Sequence, residues 1–356
     1  MGTLRFLLAL SVAWTHAGLP KGLSGDLCVT IFFVISGFYM ALVLSENRAY
    51  GQVGAFYKQR LLRLLPTYWV LLALSLLAAA LLPSIRHGWP TVESLALQQN
   101  HPGLLIGWLL SHAFIVGQDL FLFFGIDPAG GVMFVPHLSG AAHPLADLLI
   151  IPPAWSLSVE ILFYLIVPFI VRRSTAVLAG LLLTSCAVRL ALAFWSGLME
   201  DPWATRFFPS EFAFFLLGML AYRLVAERAA PAWSATGLAY LAACVIAVAS
   251  LAVNRFGHVN VGLVSKAAAI TLVLTAAIPW LFALTRHHRL DRHMGEYSYP
   301  LYLCHILVFE LWSSLAWASP WSNYLMIGAA VAFAALLTAG VDKPVDRFRH
   351  RLLSSR

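Results

Sequence analysis

Long apolar blocks, separated by short charged or Pro/Gly-rich breaks, set the pattern of this chain. A helix that crosses a bilayer needs about 20 mostly apolar residues. Ten stretches approach that length: 4–19, 27–45, 64–83, 156–171, 174–195, 207–224, 232–252, 261–284, 296–316 and 321–341, several of them short of a full crossing. The pattern predicts an all-α fold, a polytopic membrane helix bundle of about ten transmembrane helices. The first stretch begins just after Met1 without a cleavage pattern, so it reads as a retained helix. Segment 84–155 fits less simply, because it contains the apolar patch Leu104 to Val116 and the run Phe121 to Gly125. A full span there would flip every later loop. It is therefore expected to be a re-entrant or surface-lying helix on the outer side. No period of 20–50 residues repeats. The organisation expected is a transmembrane domain over 1–342 and a short basic cytoplasmic tail over 343–356.

Composition narrows the class. Of 356 residues, 60% are hydrophobic and 11% charged, against about 25% charged in a soluble domain. That balance excludes a soluble enzyme, a disordered chain and a disulfide scaffold. Cys28, Cys186, Cys244 and Cys304 lie inside apolar stretches with no paired spacing, so they read as core residues, with no metal site expected. The net charge of +7 is a topological label. With the N-terminus cytoplasmic, sixteen Lys and Arg, including Arg48, Arg228 and Arg356, fall on inside segments and four (Lys21, Arg86, Arg206 and Arg255) on outside ones. The positive-inside rule then places both termini in the cytoplasm, and no nucleic-acid partner is implied.

Ionisable residues inside a bilayer are costly and mark functional sites. Arg5 and His16 are eleven residues apart, which puts them on one helical face roughly 16 Å apart along the axis. The alternative is an arginine snorkelling to headgroups and a histidine at the helix end. Arg60 and Arg63 stand at i and i+3 in the first inside loop, as a phosphate clamp or as a positive-inside anchor. Glu160 follows Trp155-Ser156-Leu157-Ser158-Val159 and precedes Tyr164. Desolvation disfavours its charge unless a cation or donor stands near. It can orient His16 as a general base, a role also open to Glu310, or pair structurally with Arg189. Tyr299, Tyr302 and His305 form a polar seam, lining a substrate channel or joining helices. Glu211 is a further cavity or interfacial residue. Ser36 and Gly37 allow close approach of a helix or ligand.

Taken in order, several stretches are similar to the acyltransferase-3 family of integral-membrane O-acyltransferases. They are Leu4-Arg5 with His16-Ala17, Phe32 to Phe38, Phe56-Tyr57 with Arg60 and Arg63, Trp155 to Glu160 with Phe163-Tyr164, Phe215 to Gly218, and Ser298 to His305. The chain departs from the family pattern at Gly2-Thr3, where an acidic residue usually stands, and at Ile161, where a second Glu is frequent. The resemblance implies transfer of an acyl group, usually acetyl from acetyl-CoA on the cytoplasmic side, to a hydroxyl of a sugar or related acceptor. Acceptors in the family include O-antigen, exopolysaccharide, peptidoglycan, Nod-factor oligosaccharides and macrolides. It makes His16 the catalytic histidine; Glu160 is the second catalytic candidate, from the residue reading above. The resemblance gives Arg60 and Arg63 the CoA phosphates, and has Arg5 organise the inner pore. Ser36, Trp155, Tyr164, Tyr302 and His305 would line the channel. Expected partners are the lipid bilayer of the bacterial inner membrane, acyl-CoA, a carbohydrate acceptor, and a homo-oligomer or polysaccharide-assembly proteins. A secondary transporter is the rival class, but no inverted repeat or matched pair of broken helices supports it.

Overall fold

A computed structural model describes residues 1–20, 22–46, 52–82, 85, 102–127, 131–137, 143–196, 198, 201–203, 205–226, 234–255, 261–315, 317 and 319–354. Lys21, Arg48, Arg86, Arg228 and Arg356, used above to sort charge, lie outside these residues. The helices are α1 (Gly2–His16), α2 (Gly25–Glu46), α3 (Val53–Leu81), α4 (Pro102–Phe114), α5 (Trp155–Ile170), α6 (Thr175–Ser196), α7 (Phe208–Ala226), α8 (Ala235–Arg255), α9 (Val261–Thr285), α10 (Arg289–Ser314), α11 (Ser322–Leu337) and α12 (Lys343–Ser354). The all-α expectation holds. Among the described residues, eight helices are long and apolar enough to cross a bilayer, against about ten expected. The 15 residues of α1 rise only about 22 Å, short of a ~30 Å hydrocarbon core. The 26 residues of α10 are long enough, but Glu296, His305 and Glu310 dilute their apolar character.

A second difference concerns Arg60 and Arg63. They were expected on one helical face in the first inside loop; the helical face holds, but α3 begins at Val53 and carries both on the same helix that continues to Leu81. Charge interrupts hydropathy without interrupting a helix, and no residue from Ala55 to Leu65 is Gly or Pro. Pro66, Pro168, Pro279 and Pro300 all sit inside helices, as membrane helices tolerate when neighbours satisfy the freed carbonyls.

The chain divides into two compact units. The first comprises Met1–Arg5, Leu23–Tyr57 and Val159–Arg292. Its core is the crossing of α2 and α7. A Cβ on Gly37 would lie 2.0 Å from the Phe215 carbonyl oxygen, and one on Gly218 would lie 1.9 Å from that of Val34. The close approach read from Ser36-Gly37 is thus backbone against backbone. Phe33 stacks on Phe215 at 4.6 Å, and Phe163 on Phe215 at 4.3 Å. Arg189 of α6 and Glu211 of α7 form an ion pair at 2.7 Å with both side chains fully buried. Arg189 also donates to the Ser210 carbonyl and lies 5.4 Å from the Phe214 ring. Arg189 therefore pairs with Glu211, while Glu160 takes hydrogen bonds from Ser36 and Tyr164.

The second unit comprises Phe6–Gly22, Lys58–Ser158 and His293–Arg356. Here α4 is a 13-residue apolar helix, too short to span, as expected of the 84–155 segment. The run after it turns through Ile115 and Gly117, both at positive φ. It continues into a 3-10 turn and a small antiparallel sheet in the order β2-β1-β3, with β1 Phe124–Ile126, β2 Val132–Phe134 and β3 His143–Pro144. His112 fastens α4 to the later part of this segment. Its Nδ1 donates to the Trp108 carbonyl at 2.8 Å, and its Nε2 accepts from the Ile150 N–H at 3.2 Å. At the chain's far end a π-helical turn, Thr338–Asp342, leads from α11 directly into α12. The four cysteines are buried and unbridged.

Candidate active site

The local sequence stops α1 at His16 by glycine chemistry. Gly18 adopts φ +70°, the Gly18 N–H bonds to the Thr15 carbonyl at 3.1 Å, and the Leu19 N–H reaches back to Trp14 at 3.3 Å. These are the two bonds of a Schellman cap. His16 is the last helical residue, with an exposed side chain. Asn323 of α11 fixes the same corner by donating to the Ala17 carbonyl at 3.0 Å.

Beside it lies His305 of α10, fully buried, with the two ring centroids 5.2 Å apart. The His305 Nδ1 approaches the Tyr302 carbonyl at 2.8 Å and the Leu301 carbonyl at 3.3 Å. Carbonyls only accept, so Nδ1 carries a proton and donates it. The other ring nitrogen, Nε2, is buried with no hydrogen-bond partner among the described residues. Tyr302, one turn earlier, shares a hydrogen bond with Ser156 at 2.8 Å and reaches the Pro153 carbonyl at 3.3 Å. Trp155 is buried at the same helix start. A cavity of about 540 Å³ opens here, lined by His16, Pro152, Ile306, Phe309, Glu310 and two serines, Ser313 and Ser314. Such a volume lies within the ~300–1,000 Å³ of ligand sites. Among the described residues, then, the polar seam of α10 meets His16, and the carboxylate lining that cavity is Glu310.

Glu160 serves a second cluster, in the first unit. Ser36 of α2 and Tyr164, one turn along α5, both donate to its Oε1, the latter at 2.6 Å. Tyr57 donates to the Leu165 carbonyl at 2.9 Å beside them. Arg5, partly buried on α1, belongs to this unit too. The first turn of α1 carries no acidic residue, and the carboxylate of Asp291 supplies one. It accepts from the Gly2 and Thr3 N–H groups at 2.8 and 2.9 Å and pairs with the Met1 amine at 2.7 Å. Backbone N–H groups at a helix start bind an anion in this way. Burial alone would raise the Asp291 carboxyl, but these donors hold it well below the ordinary carboxylate range.

A third cluster surrounds Arg63. Asp346 of α12 approaches its guanidinium at 3.3 Å. Asp346 also pairs with Arg349, whose Nε donates to Gln59 at 3.1 Å. Thr67 donates to Asp342. Arg60 stands one turn before Arg63 and is half-buried. Sequence reasoning missed Asp346, although an acid among the bases of Lys343-Pro344-Val345-Asp346-Arg347 was a visible signal. It also missed the Ser156–Tyr302 bond, for which sequence holds none. No group of three or more His, Cys, Asp or Glu able to hold a metal occurs among the described residues.

Comparison with known proteins gives a consistent picture. Residues 2–340 match the sequence profile of the acyltransferase-3 family, described as an acyltransferase domain. The chain is similar to Nodulation protein 10 of Rhizobium leguminosarum bv. viciae, 27% identical over 376 aligned positions covering 96% of this chain and 90% of that protein. No solved structure matches.

Proposed function

The chain belongs to the acyltransferase-3 family, and on that premise we propose that it is an O-acyltransferase moving an acyl group, acetyl foremost, from cytoplasmic acyl-CoA to a hydroxyl of a sugar, glycolipid or exopolysaccharide unit. It is an integral, multi-pass membrane acyltransferase; the bacterial inner membrane, with both termini cytoplasmic, is the proposed setting. The observation that carries the reading is His16, exposed at a capped helix end over a 540 Å³ cavity and set beside a buried histidine.

An acceptor hydroxyl is a poor nucleophile until its proton is removed. His16 takes that proton as the hydroxyl oxygen attacks the thioester carbonyl. The new C–O bond forms, the C–S bond breaks, and the proton passes to the departing thiolate. A transient acyl group on His16 is the two-step version of the same route. Glu310, which lines the same cavity, is the carboxylate we assign to orienting His16. Glu160, to which Ser36 and Tyr164 donate, is the second catalytic candidate; Trp155, Tyr302 and His305 are the channel residues of this proposal. Arg60 and Arg63 take the CoA phosphates, and Arg5 organises the inner pore.

The test is transfer of a labelled acetyl group from acetyl-CoA to host glycan by purified protein. General-base assistance is worth about 10²- to 10⁴-fold, so His16→Ala should lose at least a hundredfold in transfer at unchanged thermal stability. Undiminished transfer by that variant sinks the assignment, and flux of glycan without covalent change favours a carrier.

A further inference from the structure

The C-terminal helix was read from sequence as a basic tail, yet its one face at Lys343, Asp346 and Arg347 turns onto Arg63. Positions i, i+3 and i+4 share a helical face, and these three line one cavity of about 350 Å³ together with Arg63, Glu296 and Asp342. The π-helical turn Thr338–Asp342 sets that face in place; such turns are frequent at functional sites. We propose that α12 forms the second wall of the donor's phosphate site, with Lys343 and Arg347 completing the clamp begun by Arg63. Asp346 is the internal anion that the phosphates displace. This rests on the reading that Arg63 receives acyl-CoA.

Three observations converge. First, the cavity gathers three cations from two helices around a space of ligand size. Second, two of the three cations are already in anionic company. Arg63 meets Asp346 at 3.3 Å and Lys343 meets Glu296 at 3.5 Å, so carboxylate oxygens stand where phosphate oxygens would. Third, these pairs are exchangeable. Their side chains are 25–46% exposed, whereas the Arg189–Glu211 pair is wholly buried. Exposed pairs contribute little, and a phosphate offers guanidinium a stronger, bidentate partner than one carboxylate oxygen at 3.3 Å. Asp342 stays behind at the cavity wall, held by Thr67.

The experiment measures binding of CoA and of adenosine 3′,5′-bisphosphate to the full chain in nanodiscs of zwitterionic lipid, by calorimetry. Asp346→Asn should tighten both ligands about threefold to fivefold, the scale of one exposed pair, and Asp346→Glu should restore wild-type affinity. The double variant Lys343→Ala/Arg347→Ala should weaken both at least tenfold at unchanged Tm. If Arg63→Ala weakens binding while the α12 variants leave it unchanged, the donor reading stands and this proposal falls. If Arg63→Ala has no effect, the donor reading falls and takes the proposal with it. In a parallel arm the nanodiscs contain phosphatidylglycerol. Should the double variant alter only the response to that lipid, α12 grips headgroup phosphates and the donor assignment is overturned.

Discussion

A methyl group at the α2–α7 crossing should unseat the first unit. Gly218→Ala places a Cβ 1.9 Å from the Val34 carbonyl oxygen, about 1.5 Å inside the 3.4 Å at which ordinary contact begins. The obstacle is backbone, so no rotamer relieves it. The helices must part or shift by an ångström or more, which breaks the Phe33–Phe215 stack. Overpacking a core costs about 1–3 kcal/mol where side chains can yield; here the upper end, about 3 kcal/mol, applies. In detergent that lowers Tm by roughly 6–12 °C, at 2–4 °C per kcal/mol. Gly37→Ala, 2.0 Å from the Phe215 oxygen, should behave alike. The pair should be less than additive, because helices parted by one methyl already make room for the other. Gly180 of α6 and Gly328 of α11 provide the control: nothing lies within 4 Å of a Cβ at either. Alanine there should leave Tm level or raise it, since alanine gains up to about 1 kcal/mol over glycine in a helix. Equal Tm changes for Gly218→Ala and Gly180→Ala would refute the reasoning.

Two further outcomes can be checked. Removing one partner of the Arg189–Glu211 pair strands the other charge in the interior, so Glu211→Ala should cost about 3–5 kcal/mol. The double variant Arg189→Met/Glu211→Leu should recover most of that loss in thermal unfolding; a double as damaged as the single would argue against a desolvated charge as the cause. For His112, on the non-spanning α4, burial outweighs its bond to Trp108 and pushes the imidazole down to about 4. The unfolded chain therefore binds more protons between pH 6.5 and 4, so stability rises with pH through that window and falls as pH drops. The effect is at most about 3 kcal/mol. The protection factor of the Ile150 amide, its exchange corrected for the intrinsic slowing in acid, should fall on acidification in the wild type; a His112→Phe variant whose protection falls equally would count against this account.

The apolar elements were the readable part. Spans 27–45 and 174–195 match α2 and α6 within two residues at each end, because hydrocarbon admits few polar groups and so writes its thickness into sequence. Helix starts outside that slab were not readable. The α3 extension through Lys58, Arg60 and Arg63, and the polar first turns of α10, satisfy their backbone by the same ladder but leave no hydropathic trace. Single residues were legible where the bilayer made them exceptions, as for His16, His305 and Glu160. Their partners were not. Arg189 and Glu211 are 22 residues apart on neighbouring helices, and periodicity carries no information about which helix faces which. Gly37 announced a close approach without naming its partner, and Gly218, the other half of it, stood in the sequence only as the end of a motif.

The cap at Gly18 leaves His16 as the end of a rod tied down from both sides, by the residues that turn away from it and by Asn323 of α11. Leu19 closes the last backbone bond of the cap. The imidazole therefore stands at a fixed end point, anchored from its own helix by the cap and from α11 by Asn323.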